Sequence, residues 1–426
     1  MNLGPYPEYK DTGIESLGYV PVLWDVLPVS RYVSFGNGSD YKHVEVTAGG
    51  YPVIGSGGEF RRASEYLFDG ESVLFGRKGT VDKPLYVNGK FWTVDTMYYT
   101  RIDARRVFPK FLYYWALRIP FDFYVTSTAL PSMTQTDLGS AKIALPILQE
   151  QKDITDYLDR ETAEIDEFIA DQEELITLLE ERRAATITRA ITVGLNSTVP
   201  MKTNSLNYVE KIPLHWSVSR LKWGIEKIES GTSVNAQDVP VVGREVGVLK
   251  TSCVYTGNFD PLENKTVLAE DLGRVRCPVQ ADTLIVSRMN TPQLVAAAGY
   301  SSRGETNIYL PDRLWQVYFH SSWEPQFVHF WTKTRLYRMQ VEEVCIGTSS
   351  SMQNIGQDDF RNFVLPLPPQ NEQRSIVSYL REENSEIDAA IADAREAISF
   401  SKERRAAVIS AAVTGKIDLR KANNNE

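Results

Sequence analysis

Isoleucine recurs every eleven residues in two stretches of the chain. The two rows share this spacing and consist of Ile154, Ile165, Ile176 and Ile187, and of Ile376, Ile387, Ile398 and Ile409. Eleven residues complete three turns of an α-helix, so each row marks one apolar face of a long helix. Proline precedes each stretch and Gly194 or Gly415 follows it, as expected for a helix start and stop. The pattern predicts two helices with bodies of about 43 residues, each roughly 60 Å long.

The two helical stretches are copies of one sequence. Residues 145–192 and 367–414 are related by a shift of 222 positions and are identical at 24 of 48 positions. The repeated segments include a Glu-Gln pair near each start and a Glu-Arg-Arg-Ala-Ala run near each end. A helix of this length is too long for one small domain to cover its apolar face. We therefore expect the two helices to pair with each other and to run antiparallel.

The segments before each helix also correspond. Three patterns repeat: Pro-x-x-Trp at 21–24 and 213–216, an apolar strand ending in arginine at 73–77 and 284–288, and a proline-led aromatic helix at 109–115 and 325–331. The chain is therefore predicted to have an α+β fold, an internal duplication with pseudo-two-fold symmetry. The expected ranges are 1–144 and 196–366 for two mixed, strand-rich domains, 145–195 and 367–420 for the helices, and 421–426 for a disordered tail.

The order of these elements suggests a function. Antiparallel pairing would place the two domains at opposite ends of a helical rod, and duplex DNA has the same two-fold symmetry between its strands. Two such domains can each read a half-site, separated by a gap that the helices set. Because the loops of the two domains differ, the target is expected to be asymmetric and bipartite. Two alternatives stay open: a helical scaffold without DNA contact, and an enzyme whose nuclease or methyltransferase site lacks a standard motif.

Composition and charge modify this picture only slightly. The net charge of −9 at first argues against nucleic acid, since phosphate contacts need Lys and Arg. The acidity is concentrated in residues 145–195, which carry 5 basic and 13 acidic side chains, whereas 1–144 and 196–366 are both neutral. No apolar run is long enough to span a bilayer, and three cysteines without a CxxC pair suggest reduced thiols. The cytoplasm is the expected compartment, and no membrane partner is expected.

The repeated Pro-x-x-Trp, Glu-Gln and Glu-Arg-Arg-Ala-Ala segments resemble those of a known family, the specificity subunits of type I restriction-modification systems. The resemblance covers nearly the whole chain. It implies two target-recognition domains, each followed by a helical spacer. It also implies that the chain is not catalytic and binds double-stranded DNA together with two adenine methyltransferase subunits and, for cleavage, restriction subunits. The partners would use S-adenosylmethionine, ATP and magnesium, and this chain would hold no cofactor and no metal.

The same resemblance indicates candidate DNA contacts at the strand-to-loop segments. They are Gly76, Arg77, Lys78 and Gly79 in the first domain, and Ser287, Arg288, Met289 and Asn290 in the second. An arginine offers two donors that suit a guanine edge or a phosphate, while the alternative for each residue is a solvated turn. The second segment lacks the glycines of the first.

A second candidate site comprises the arginine pairs near the helix ends, Arg182 with Arg183 and Arg404 with Arg405. Cations there suit the helix dipole and can pair with the acidic opposite helix. A sharper hypothesis is that they also dock the methyltransferase subunits.

Other features have structural explanations. The aromatic residues Tyr98, Tyr99, Tyr113, Tyr114, Trp115, Phe330 and Trp331 are assigned to the core because burial is the commoner fate of aromatics at this spacing. The glycine-containing segment 35–38 is interpreted as a turn. The chain contains no GxxxxGK[ST] motif for ATP phosphates and no Asn-Pro-Pro-aromatic motif for adenine, and its four histidines lack ligand spacing.

Overall fold

The computed structural model describes residues 4–125, 131–204, 209–349 and 352–420. The chain forms two compact units, one built from residues 1–173 and 395–426 and the other from residues 174–394. Each unit contains one strand-rich domain and part of each long helix. The α-helices of the described residues are, in chain order, α1 (Pro109–Ala116), α2 (Gln135–Ser140), α3 (Leu148–Val193), α4 (Pro325–Thr332), α5 (Arg335–Val344), α6 (Gln357–Asn362) and α7 (Gln370–Val413).

The first unit contains two main sheets. Its four-stranded sheet is antiparallel and has the spatial order Leu85–Val87, Ser72–Gly76, Met97–Ile102 and Val33–Asn37. Its five-stranded sheet is mixed and has the order Glu45–Val46, Gly58–Ala63, Tyr51–Gly55, Lys90–Thr93 and Phe68–Asp69. Two short ribbons complete the unit, Tyr9–Asp11 with Tyr19–Pro21 and Asp25–Pro28 with Lys142–Leu145.

The second unit repeats this topology strand for strand. Its four-stranded sheet has the order Ala298–Ser301, Thr283–Ser287, Leu314–Phe319 and Ile225–Ser230. Its mixed sheet has the order Ala236–Gln237, Asn264–Val267, Gly247–Leu249, Glu305–Tyr309 and Pro278–Val279. Two ribbons again accompany them, Met201–Thr203 with Lys211–Pro213 and Ser217–Arg220 with Val364–Leu367. A further sheet is formed by Met289–Asn290, Met352–Asn354 and Ile346–Ser349.

Short 3₁₀ helices connect several of these elements. They are Val29–Arg31, Phe121–Phe123, Leu221–Trp223, Thr251–Val254 and Ala269–Arg274. The first and third occupy the same place in their respective units, immediately before the strands Val33–Asn37 and Ile225–Ser230. The duplication predicted from the helices therefore extends through both domains, although little sequence identity remains in them.

The two long helices have the predicted length, and their isoleucine rows face inward. Seven of the eight row positions are buried, and only Ile176 is half-buried. In the first unit, Ile154 shares a core with Ile409, whereas Asp166, further along α3, pairs with Arg405, earlier along α7. This order shows that the helices run antiparallel, as predicted.

The same holds in the second unit. Arg183 on α3 pairs with Asp388 on α7, and Ile191, further along α3, shares a core with Ile376, earlier along α7. Both helices end at the predicted glycines, which take the left-handed backbone conformation with φ +81° at Gly194 and φ +68° at Gly415. A glycine adopts this conformation without the steric cost of a Cβ atom.

The predicted helices and strands of the domains are also present. The segment 73–76 lies in the fully buried strand Ser72–Gly76, and its counterpart lies in Thr283–Ser287. Helices α1 and α4 both begin with proline. Of the aromatic residues assigned to the core, Tyr113 is half-buried and the others are buried.

One prediction is wrong: the segment 35–38 is not a turn. Phe35, Gly36 and Asn37 belong to the strand Val33–Asn37, which pairs with Met97–Ile102. The glycines serve close packing, because a Cβ atom on Gly36 would lie 2.2 Å from the Tyr99 ring. A Cβ atom on Gly38 would lie 1.9 Å from the carbonyl oxygen of Val94. Close contact with neighbours, which is invisible in the local sequence, explains this glycine pattern.

The predicted domain boundaries stay a prediction, since the compact units cut across both long helices. The predicted disordered tail, 421–426, lies outside the described residues. In the described part of the chain, no helix is both long and apolar enough to cross a membrane.

Candidate nucleic-acid interface

The first candidate segment leaves the buried strand Ser72–Gly76 as a tight loop. A Cβ atom on Gly76 would lie 2.0 Å from the carbonyl oxygen of Thr80, so only glycine fits where the loop closes on itself. Gly79 has φ +82°, which again favours glycine. Between them, Arg77 is half-buried and Lys78 is exposed. The local sequence thus places two cations on a short, rigid loop at the end of a core strand.

Backbone hydrogen bonds hold Arg77 on both sides. Its amide donates to the carbonyl oxygen of Thr96 at 2.8 Å, and its carbonyl oxygen accepts from the amide of Met133 at 3.0 Å. The guanidinium lies 5.9 Å from the ring centroid of Tyr98. Burial raises the pKa of Tyr98 and the Arg77 charge partly offsets this, so the phenol stays neutral. Nη1 of Arg77 donates to the carbonyl oxygen of Asp95 at 3.4 Å, and within the described residues the guanidinium forms no ion pair with a carboxylate.

The second candidate segment is held in the same way. The amide of Arg288 donates to the carbonyl oxygen of Arg313 at 3.0 Å, and its carbonyl oxygen accepts from the amide of Ile355 at 3.0 Å. Met133 and Ile355 are related by the same shift of 222 residues as the long helices. The structure therefore confirms that Arg77 and Arg288 occupy equivalent positions, each between the strand end and the segment before α2 or α6.

The second segment is nevertheless less open than the first. Ser287 and Asn290 are buried, and Met289 and Asn290 form a short strand with Met352–Asn354. The Asn290 side chain donates to the Tyr255 hydroxyl at 2.8 Å. Arg288 is half-buried, and its Nε makes no hydrogen bond in the described residues. Only Arg288 and Met289 of this segment thus present side-chain surface.

Arg313 was missed in the sequence. It is exposed, and its carbonyl oxygen binds the Arg288 amide, as that of Thr96 binds Arg77. It also lines an open groove with Lys250, Thr251 and Lys265. The strand 314–319 is equivalent to 97–102, so aligning these two strands would have placed Arg313 beside the candidate segment.

The candidate docking arginines make repeated ion pairs between the long helices. In the second unit, Arg182 pairs with Glu383 and Arg183 with Asp388. In the first, the equivalent residues pair as Arg404 with Glu161 and Arg405 with Asp166. Every partner is related to its counterpart by 222 residues. The pairing with the acidic opposite helix, expected from the sequence, is therefore present in both units.

The repeated Glu-Gln pair attaches each long helix to its domain. The Gln151 side chain accepts from the amide of Phe108, which precedes α1, and donates to the carbonyl oxygens of Arg106 and Pro146. The Gln373 side chain accepts from the amide of Glu324, which precedes α4, and donates to Pro368. These glutamines are 0% and 1% exposed. Their identity in the two copies was the only sequence signal of this role.

The repeated Pro-x-x-Trp element packs against the end of the other long helix. Trp24 and Trp216 are both buried at 1% exposure. A Cβ atom on Gly415 would lie 3.2 Å from the Trp24 ring, and one on Gly194 would lie 3.0 Å from the Trp216 ring. Two of the three most specific repeats, Glu-Gln and Pro-x-x-Trp, therefore stabilise the junction of helix and domain. The third, Glu-Arg-Arg-Ala-Ala, pairs the two long helices.

No group of three or more His, Cys, Asp or Glu side chains in the described ranges is placed to hold a metal ion.

Comparison with known proteins gives a consistent result. Residues 32–178 match the model of the type I restriction modification DNA specificity domain. Over 431 residues the chain is 22% identical to the MjaVIII specificity subunit of Methanocaldococcus jannaschii, with 95% of each chain covered. This chain is similar to specificity subunits of type I restriction enzymes. The same identity, 22%, holds for the EcoEI subunit of Escherichia coli, over 40% of this chain and 29% of that one. The EcoKI subunit of Escherichia coli is also 22% identical, over 55% of this chain and 49% of the EcoKI subunit. The matches therefore span less than half of the length of each of these two Escherichia coli relatives.

Solved structures show that the fold is shared with this family. A chain from a study of complex assembly and conformational transition of the type I R-M system has a TM-score of 0.68 and 15% identity, over 92% of this chain and 98% of that one. The crystal structure of the HsdS subunit from Thermoanaerobacter tengcongensis has a TM-score of 0.50 and 15% identity, over 93% and 98%. The residues that match the DNA specificity domain include the Arg77 segment. Arg288 lies outside the matched residues, at the equivalent position of the repeated sheet topology.

Proposed function

We propose that this chain is the DNA-recognition subunit of a type I restriction-modification complex and reads an asymmetric bipartite target, one half-site per strand-rich domain. The observation that carries the proposal is that one sheet topology occurs twice, with an equivalently held arginine in each copy. Equivalent frames with different loops suit two half-sites of different sequence. The gap between the half-sites would be set by the long helices.

Each half-site would be contacted from the strand-end segments. Arg77 and Lys78 in the first domain, and Arg288 in the second, offer donors for phosphate oxygens or guanine edges. Gly76, Gly79 and Ser287 would shape the loops, while Met289 offers an apolar contact and Asn290 fixes Tyr255. Arg313 adds a cation beside Arg288. The long-range attraction for DNA would come from these local groups, because the chain as a whole is acidic.

The chemistry would belong to partner subunits. We assign no catalytic step, metal or cofactor to this chain; two adenine methyltransferase subunits would supply S-adenosylmethionine chemistry, and restriction subunits would supply ATP- and magnesium-dependent cleavage. Duplication supports the stoichiometry, since two copies of one helical surface offer two equivalent docking sites. Arg182 and Arg183 on one copy, and Arg404 and Arg405 on the other, are the proposed docking residues.

Replacing Arg77 with alanine in the assembled complex is expected to weaken DNA binding by about tenfold or more, the effect of losing one good base contact. A phosphate contact would instead reduce the salt dependence of the binding constant by about one unit of slope. Arg288→Ala is expected to act equally on the other half-site. Fluorescence anisotropy with duplex DNA at several salt concentrations measures the affinity, and methylation sequencing measures which half-site loses specificity.

Arg105 and Arg303 serve as controls, because both are highly exposed and paired with a neighbouring carboxylate. Their alanine variants should keep the wild-type affinity. Relaxed specificity in the same half-site for both Arg77→Ala and Arg288→Ala would contradict the assignment of one half-site to each domain.

The docking role predicts that the double variant Arg182→Glu, Arg183→Glu loses one methyltransferase subunit. Each ion pair that it breaks has one exposed and one half-buried partner and is worth about 1 kcal/mol or less, so the chain should still fold. Analytical ultracentrifugation of the complex measures the loss. Adding Glu383→Arg and Asp388→Arg restores opposite charges between the helices. Recovery of assembly in the quadruple variant would show that the arginines act only through helix pairing and would refute docking.

A further inference from the structure

A cavity of about 430 Å³ lies within the second unit, between α4 and the long helices. Arg183 of α3 and Arg381 of α7 line it on one side. His329 of α4 and Lys333, the residue directly after α4, line it on the other. Asp388 is the carboxylate in this lining. The cavity is separate from the candidate DNA contacts at Arg288.

Positive charge in the lining exceeds negative charge. Asp388 is occupied by Arg183, and the Lys333 ammonium donates to the neutral oxygen of Asn258 at 2.7 Å. Within the described residues, neither Lys333 nor Arg381 forms an ion pair, and the buried Nε of Arg183 makes no hydrogen bond. Tyr300, also in the wall, donates its hydroxyl to Asp282. Two cations thus remain without a carboxylate of their own.

The pKa values of Lys333 and His329 reflect this excess of positive charge. Burial and the charge of Arg183 lower the pKa of Lys333 to about 8, although the nearby Asp388 carboxylate acts in the opposite direction. Burial and the charge of Lys333 lower the pKa of His329 to about 3. His329 is therefore neutral at pH 7, and its Nε2 donates to the carbonyl oxygen of Gly257 at 2.7 Å. Both groups resist a further positive charge, and an anion in the cavity would relieve this.

The duplicated first unit shows that these cations are not needed for packing. The equivalents of Lys333 and Arg381 are Leu117 and Asp159. Asp159 pairs with Lys110 at 2.5 Å and accepts the Tyr114 hydroxyl at 2.7 Å, so the charges there neutralise each other. The residue after Leu117, Arg118, is a half-buried cation, and it donates hydrogen bonds to the Ser410 hydroxyl and to the carbonyl oxygen of Ser16. The first unit therefore has no cation at the positions of Lys333 and Arg381 themselves. Unpaired charges that the frame does not require point to a ligand.

We propose that this cavity binds a phosphate group, held by Arg183, Lys333 and Arg381. Guanidinium and ammonium groups form strong charge-assisted hydrogen bonds with phosphate oxygens. Lys333 supplies a point charge, and Arg381, exposed at the cavity wall, is placed to meet an anion entering from solvent. The volume accommodates a phosphate together with part of an attached group, since one water takes up about 30 Å³. The phosphate can come from solution or from a DNA backbone, and both sources share this chemistry.

The test uses the full-length chain titrated with inorganic phosphate at constant ionic strength, with chloride as the balancing anion. Thermal unfolding should shift upward with phosphate in the wild type, since a ligand that binds only the folded state stabilises it. Lys333→Leu and Arg381→Asp install the residues of the first unit. Each is expected to weaken phosphate binding at least tenfold. Arg395→Asp, an exposed position further along α7, keeps the net charge of the Arg381 variant and should bind as the wild type does.

A second measurement identifies the source of the phosphate. If it belongs to DNA, Arg381→Asp lowers the affinity of the complex for duplex DNA and its salt slope by about one, relative to Arg395→Asp. If it is a free phosphate, Arg381→Asp weakens the binding of inorganic phosphate and leaves the affinity of the complex for duplex DNA unchanged. The proposal is overturned when phosphate and chloride act alike on the wild type and Arg381→Asp binds DNA as Arg395→Asp does. The phosphate arm does not depend on the proposed function, so the two can fail separately.

Discussion

Replacing Trp24 with alanine is expected to lower the free energy of unfolding by about 5 kcal/mol, the upper end of the range for a buried tryptophan. Trp24 is 1% exposed, its ring centroid lies 5.8 Å from that of Tyr6, and it packs against Gly415 at the end of α7. Its indole nitrogen donates to Glu150 at 3.3 Å. Truncation leaves a cavity and removes a donor from a buried carboxylate.

The equivalent residue in the second unit, Trp216, allows the effect of the cavity to be separated from the effect of the hydrogen bond. It is equally buried, but its indole nitrogen has no hydrogen-bond partner in the described residues. Trp24→Phe and Trp216→Phe remove similar volume, so the extra loss at Trp24 measures the hydrogen bond to Glu150 together with the relief of the unpaired indole N–H at Trp216. We expect that difference to be at least about 1.5 kcal/mol, since the acceptor is charged. Urea unfolding followed by circular dichroism gives both values, and equal losses would show that the bond contributes nothing.

Gln151→Ala is expected to lower the free energy of unfolding by about 4 kcal/mol. The substitution leaves the amide of half-buried Phe108 without its acceptor, at 2.7 Å in the wild type, and two carbonyl oxygens without their donor. Gln373→Ala removes two such hydrogen bonds, so its expected loss is smaller, about 3 kcal/mol. The same urea titration measures both variants.

Gln149 provides the matched control for this pair. It lies two positions earlier on the same helix and is exposed, and within the described residues its side chain donates one hydrogen bond, to Asp153. Gln149→Ala should change the stability by less than about 0.5 kcal/mol. A loss at Gln151 no larger than at Gln149 would mean that the Glu-Gln pair does not attach the helix to its domain.

These predictions concern features that repeat, and repetition is what made the sequence informative. The eleven-residue spacing and the terminal glycines are local signals, because helix periodicity and chain reversal depend on neighbours within a few turns. The observed helices, Leu148–Val193 and Gln370–Val413, begin and end where these signals place them. The aromatic core and the strand ends at Arg77 and Arg288 followed from the same reasoning.

The segment 35–38 shows where local reasoning failed. Its glycines look like a turn, yet Gly36 is glycine because Tyr99, more than sixty residues away in sequence, packs against it. The repeated Glu-Gln pair was visible, but not what it binds, since the amides of Phe108 and Glu324 come from other elements. Arg313, by contrast, could have been found by aligning the strands 97–102 and 314–319.

The sequence by itself therefore determined the duplication, the two long helices and the strand ends that carry the candidate arginines. Only the tertiary structure decided which groups are in contact. It shows that the Tyr99 ring packs against Gly36, that Gln151 binds the domain next to its helix, and which cations around the cavity at Lys333 lack a carboxylate partner. The reason is physical. Periodicity and propensity act along the chain over a few residues, whereas close packing, hydrogen bonding and charge balance depend on residues that are distant in sequence and adjacent in space.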